Sequence, residues 1–289
     1  MLSNVGGSNI SYDGFKQMYD ANPELKNIVK KFDSTTIHLK TKADSDAEPV
    51  SDKKSSSEFK SDMTLIQQKF NYAEIKRSSV NGRRMYMCPD GNAVASVTTI
   101  LDSTKDKTYL MEWRKKVGEE TAKMITKEAS GIGTRMHKFL EDYITTGDWK
   151  DPGSNPYSQQ AHKMAKVVHD KALVHVNEFW GTEVNLYHPK IYAGTTDLIG
   201  IMKGQPAIMD FKQTNRPKKK EYIEDYFLQL VAYAEAHNEV YGTNIKSGHV
   251  LMCSRDFQYQ QFNITPNEYD KYRKKWWDRV EEYYVKYAV

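Results

Sequence analysis

The stretch Ala207-Ile208-Met209-Asp210-Phe211-Lys212-Gln213 constrains this chain more than any other. Side chains on a strand alternate faces, so Ala207, Met209 and Phe211 leave one side while Asp210 and Lys212 leave the other. A carboxylate and an ammonium are thus held next to each other on an otherwise apolar strand. Burial of charge on that scale requires pairing or a bound ion. Upstream, Tyr192–Met202 reads as a second strand, and it carries Asp197 after Gly194-Thr195-Thr196. A tight turn at Gly204-Gln205 folds the two strands together, and a slightly staggered pairing brings Asp197 close to Asp210.

The rest of the chain supplies a sheet for these strands to join. Residues 72–80 and the RMYMC run read as two strands around an Asn81-Gly82 turn, and Pro89-Asp90-Gly91 leads into a third short strand. Helical periodicity runs from Lys105 to about Lys127, Ser130-Gly131 breaks it, and a second helix follows from Gly133 to Ile144. A long helix is expected from Pro156 to Val176, then a strand at Glu183–Tyr187. A helix from Lys220 to Val240, strands near 247–253 and 257–263, and a C-terminal helix from Pro266 complete the order. Strands interleaved with helices in this order predict an α/β fold, a mixed sheet with helices on its faces.

Residues 12–32 predict one or two short helices. Residues 41–62 are rich in Ser, Asp and Lys without apolar periodicity and read as a flexible linker. The expected division is therefore an extension over residues 1–70 and a domain over 71–289. No signal or transit peptide is evident at the N-terminus, and no apolar run is long enough to span a membrane, so a cytoplasmic location without membrane contact is expected. Two cysteines, Cys88 and Cys253, are too few for a four-thiolate zinc or iron–sulfur site. The formal net charge of +4 is compatible with a polyanionic partner without requiring one.

Two carboxylates that converge in a half-buried place repel each other, and a divalent cation relieves them; hard oxygen donors favour Mg²⁺ or Mn²⁺. Lys212 beside such an ion would stabilise charge on a phosphate. Gln229 and Tyr233 lie one turn apart on a helix face. Arg216, Lys218, Lys219 and Lys220 form a basic cluster able to grip phosphates or simply to be solvated. His137 and Glu141 share a helix face, and Glu183 is a further acidic candidate.

Taken in order, Gly133/His137/Glu141, Gly194/Asp197, Asp210/Lys212 and Gln229/Tyr233 resemble the motifs of the RecB-like branch of the PD-(D/E)XK nucleases. The PDGNAVASVTTIL segment is similar to a lead-in of the mitochondrial genome maintenance exonuclease subgroup and its phage relatives. The resemblance covers about residues 72–265. It implies a restriction-endonuclease-like sheet, here with a helical N-terminal extension. It also implies metal ligation by His137, Asp197, Asp210 and the main-chain carbonyl of Phe211, with Mg²⁺ or Mn²⁺ and no iron–sulfur cluster. Asp197, Asp210 and Lys212 would be catalytic, and Gln229 and Tyr233 would contact DNA or organise the site. The implied function is a metal-dependent DNA exonuclease on single strands or strand ends, in replication, recombination or repair, within the cytoplasm of a bacterium or phage-infected host. A structure-specific or restriction-like endonuclease and a non-catalytic DNA-binding accessory protein are the alternatives. Residues 1–70 are expected to be free to dock a protein partner.

Overall fold

The computed structural model describes residues 65–80 and 82–287. In chain order its elements are β1 (Lys76–Val80), β2 (Arg83–Met87), β3 (Ala93–Ser96), α1 (Val97–Thr104), α2 (Thr108–Val117), α3 (Glu119–Thr146) and α4 (Pro156–Lys171). They continue with β4 (Val176–His188), β5 (Tyr192–Met202), β6 (Gln205–Thr214), α5 (Glu224–Tyr241), β7 (Ser247–Ser254), β8 (Tyr259–Ile264) and α6 (Pro266–Tyr287). Short 3₁₀ turns precede β4 and α5. The expected helices of residues 12–32, the linker at 41–62 and Asn81 of the first turn lie outside the described residues.

The strands form one mixed sheet in the order β1-β2-β3-β5-β6-β7-β8, with β4 paired to β5 off that path. β3–β5 and β6–β7 are parallel and the other pairs antiparallel. Helices cover both faces, as expected for an α/β sheet with parallel connections. On one side α1, α5 and α6 pack through Ile100, Phe227, Val231 and Trp276 against Ile199, Ile208 and Val250. On the other, α3 and α4 bury Met136, Leu140 and Met164 against Leu198, Met209, Phe211 and Leu251. The alternation read from residues 207–213 therefore holds, with apolar Met209 and Phe211 on the α3 side.

β5 is the strand that positions the site. Along one edge it pairs with β4 for its whole length. Along the other edge Tyr192 and Ala193 pair with β3, and Leu198–Met202 pair with β6. Between those two partners β5 and β6 part company, and Asp197 stands at the fork.

Several expected boundaries shift for identifiable reasons. Ser130-Gly131 does not break the helix. α3 runs through it because Ile132, Met136, Phe139, Leu140 and Ile144 continue one buried stripe, and their burial outweighs about 1 kcal/mol of glycine penalty. The true break is at Gly118, whose φ of 86° no helix accommodates and which separates α2 from α3. An unpredicted helix, α1, starts where Ser96 Oγ accepts the Thr99 N–H at 2.9 Å. α4 ends at Lys171 rather than Val176. The strand expected at Glu183–Tyr187 is the end of the longer β4, whose first half was hidden by register shifts at Val176/Glu178 and Phe179/Gly181 that spoil its alternation. The turn between β5 and β6 is Lys203-Gly204, with Gln205 already in the strand. Residues 65–70 pack on the sheet: Ile66 bridges Phe179, and Phe70 meets Trp180 edge-on at 5.3 Å.

Candidate active site

Leu198 and Met209 form the last rung before β5 and β6 diverge. Asp197 and Asp210 are the next residues beyond that rung, one on each strand at the fork. On the far edge of β5, Thr182 pairs with Leu198 and Val184 with Thr196, so Glu183 stands opposite Asp197. Three adjacent strands thus contribute one row of carboxylates, Glu183, Asp197 and Asp210. Glu183 achieves this with φ 50°, a left-handed backbone that costs a non-glycine residue about 1–2 kcal/mol.

Asp197 is tied down from several sides. The Phe211 N–H donates to its Oδ2 at 2.7 Å, and Thr182 Oγ1 donates to its main-chain oxygen at 2.8 Å. His137, carried by α3 across the sheet, places Nδ1 3.4 Å from Asp197 Oδ1. The His137 ring in turn packs edge-on against Phe211, centroids 6.0 Å apart. One ligand atom each from His137, Glu183 and Asp197 lies within 4.8 Å of the others. Asp210 is not part of this trio. It is completely buried and paired with the Lys212 ammonium, while its Oδ1 has no hydrogen-bond partner among the described residues. Lys212 Nζ also lies 5.0 Å above the Tyr226 ring.

The electrostatics follow from burial and neighbours. Burial works against the Asp197 charge, but His137, Lys212 and the Phe211 N–H together hold its carboxyl below the usual range. Burial and the Asp197 charge push the Asp210 carboxyl upward despite Lys212. Burial opposes the Lys212 charge, yet Asp210 and Asp197 raise its pKa, so it is an ammonium at neutral pH. Loss of solvent on the cleft side and then the Asp197 charge push Glu183 upward. This is a donor set that resists carrying all its negative charge unaided, with one buried oxygen left over. A hard divalent cation fits such a set.

Tyr233 is buried, 2% exposed, so its place is beneath the site rather than on its surface. Its ring fills the space above Gly194, and Gln229 Nε2 approaches its hydroxyl at 3.5 Å. Glu141 lines the cleft but pairs with Lys138 at 3.1 Å. The basic cluster divides. Lys218 lines the cleft, and both its main-chain N–H and its carbonyl are held by the Gln260 side chain at 2.7 and 2.9 Å. Lys220 is paired with Glu268 at 2.9 Å, Lys219 faces Glu221, and Arg216 is exposed without lining the cleft.

The cleft itself, about 920 Å³, runs between α3 and the fork, with Trp113, His137, Glu183, Lys212, Lys218 and Tyr226 among its walls. Sequence inspection missed Tyr226 and Trp113. Tyr226 had a usable signal, since it precedes Gln229 and Tyr233 at i+3 and i+7 on one helix face. Trp113 had none, because α2 buries no residue of its own.

In sequence the chain is similar to curated exonucleases of the subgroup that its motifs resemble. No family model matches it. Mitochondrial genome maintenance exonuclease 1 of Mus musculus is 25% identical over 208 residues, which cover 66% of this chain and 59% of the relative. The Homo sapiens protein of the same name is 25% identical over 210 residues, 66% of this chain and 58% of the relative. The chain thus spans less than two thirds of the curated relatives it matches. Among solved structures, a candidate exonuclease from Eubacterium rectale superposes with a TM-score of 0.41 at 14% identity, over 55% of this chain and 65% of that one. Among the described residues no helix is long and apolar enough to cross a membrane.

Proposed function

We propose that this protein is a divalent-metal-dependent nuclease that hydrolyses DNA phosphodiesters as an exonuclease on single strands or strand ends. The observation that carries this is the trio of His137, Glu183 and Asp197, within 4.8 Å, beside the buried Asp210–Lys212 pair, with His137, Glu183 and Lys212 lining one cleft. His137, Glu183, Asp197, Asp210 and the Phe211 carbonyl would hold Mg²⁺ or Mn²⁺. When bound, the ion supplies Lewis acidity toward a phosphate oxygen and a more acidic water.

The chain's own residues do the rest. Lys212, charged at neutral pH, donates hydrogen bonds to the non-bridging oxygens as negative charge builds on them, and orients the attacking water. It is therefore an electrostatic group and not a proton acceptor. The Phe211 N–H and His137 fix the Asp197 carboxylate, so it spends no free energy reorienting during reaction. Tyr226 backs the Lys212 side chain, and Lys218 offers a cation to a flanking phosphate. Residues 71–289, with residues 65–70 packed on their sheet, form the nuclease domain in this proposal, and the rest of the N-terminal extension docks a protein partner.

The test is cleavage of end-labelled single-stranded, double-stranded and circular DNA with Mg²⁺, Mn²⁺ or EDTA. Linear single strands should be degraded with metal and spared in EDTA, and circles should survive. Cleaved circles would make the enzyme an endonuclease. Asp210→Asn and Lys212→Ala should lower the rate by at least about 10³-fold while DNA binding stays. A wild-type protein inert toward every DNA with either metal removes the nuclease reading.

A further inference from the structure

A second recess, of about 560 Å³, lies away from the carboxylates, between the β1–β2 hairpin and α1. Arg77, Arg83, Arg84, Thr98, Thr99 and Asp102 are among its walls. Its charge is uncompensated. Asp102 is engaged by Lys107 at 2.9 Å. Arg83 lies over the Tyr287 ring at 3.7 Å. Arg77 and Arg84 have no carboxylate partner among the described residues. Thr98 and Thr99 belong to the first turn of α1, whose dipole adds positive potential, while the Thr99 N–H is taken by Ser96 Oγ and the Thr99 hydroxyl donates to the Arg84 carbonyl. A concavity with two guanidinium groups that lack carboxylate partners among the described residues is suited to an oxyanion bearing several acceptors.

The recess is mechanically joined to the active-site strand. β3 leads straight into α1 and pairs with β5 through Ser96 and Ala193. Ala193 precedes Asp197 by four residues, about 13 Å of extended strand. From β2, Tyr86 sets its hydroxyl 3.2 Å from Thr195 Oγ1, which in turn donates to Asn185 at 2.8 Å. The recess is thus tied to the strand that carries Asp197, four residues of extended chain from it.

We infer that Arg77 and Arg84 form a second, non-catalytic phosphate site that holds the sugar–phosphate backbone of the DNA strand at a distance from the scissile bond. This rests on the nuclease proposal for its ligand, but its test does not depend on cleavage. The full chain and its Arg77→Ala/Arg84→Ala variant are titrated, in EDTA, with fluorescent oligothymidylates of increasing length. Both arginines are exposed, so the variant should keep the wild-type circular dichroism and melting temperature.

For strands long enough to span both places, loss of two phosphate contacts should weaken binding about tenfold and reduce the slope of log affinity against log salt by about 1.4. Oligomers too short to reach should bind both proteins alike, and hydrolysis of bis(p-nitrophenyl) phosphate should be unchanged. Unchanged affinity and salt slope on long strands would overturn the inference. So would an equal loss at every length, or full competition by millimolar inorganic phosphate, which would mark a small-anion site instead. If wild type cleaves nothing, the nuclease proposal fails while the length dependence still decides the role of the arginines.

Discussion

The Tyr233 ring occupies the volume that any side chain at Gly194 would need: a Cβ there would meet the tyrosine Cε1 and hydroxyl at 2.9 Å each. The glycine three residues before Asp197 is thus demanded by packing between β5 and α5 rather than by backbone conformation. Gly194→Ala forces either the ring or the strand to move, at a cost of about 1–3 kcal/mol for overpacking. Expected is a lower melting temperature together with a loss of cleavage larger than the fold defect explains, because the displaced strand carries Asp197. A variant with wild-type activity and stability would show that Tyr233 gives way freely.

Glu183 stores strain at a position whose carboxylate could hold a metal ion, so strain and ligation separate by substitution. Glu183→Gly relieves the left-handed φ of 50° and should raise stability by about 1 kcal/mol in thermal or urea unfolding. The same change removes a carboxylate from the trio, so half-activation by Mn²⁺ should need at least about tenfold more metal, a 1.4 kcal/mol effect. Glu183→Gln should show the metal defect without the stability gain.

Gln260 holds Lys218 at the cleft by two main-chain hydrogen bonds. Gln260→Leu removes both, and each is worth about 1 kcal/mol. The expected result is a KM for DNA raised about five- to tenfold with kcat within about twofold, since the loop is loosened and the carboxylates are untouched. A fall in kcat alone would contradict this.

His237 is fully buried, and burial pushes its pKa from 6.5 down to about 4. Thr243 Oγ1 donates to Asn238 Oδ1, so it accepts from His237 Nδ1–H at 2.8 Å, and Nε2 then accepts from the Tyr72 hydroxyl at 3.2 Å. The fold therefore uses the neutral ring. Its contribution is complete above pH 6.5 and is lost as pH falls toward about 4, because the unfolded chain takes the proton first. Unfolding free energy should drop by up to roughly 3 kcal/mol across that window. His237→Gln should make the dependence of melting temperature on pH shallower there.

Much of this site could be read from the chain. Asp210 and Lys212 share a face because they are two apart on a strand. Gln229 and Tyr233 share one because they are four apart on a helix. Glu183 could only be a generic acidic candidate, since nothing in its own neighbourhood announces a left-handed residue in mid-strand. The run through Ser130-Gly131 was equally opaque, because propensity marks a break there and only the buried stripe from Ile132 to Ile144 overrules it. Lys218 could not be told apart from Lys219 and Lys220 until Gln260, far along the chain, was seen to hold one of them.

By itself, then, the sequence determined the α/β pattern, the apolar strand with its Asp–Lys pair, and the order of the motif residues. All of these depend on periodicities of two or about four residues, which are local. The tertiary structure alone decided that Asp197 and Asp210 flank the fork where β5 and β6 part, that Glu183 and His137 join Asp197, and that Asp210 pairs with Lys212. Those outcomes depend on strand register and on where a helix crosses the sheet. Both are set by burial of side chains distant in sequence, where no short-range pattern is written.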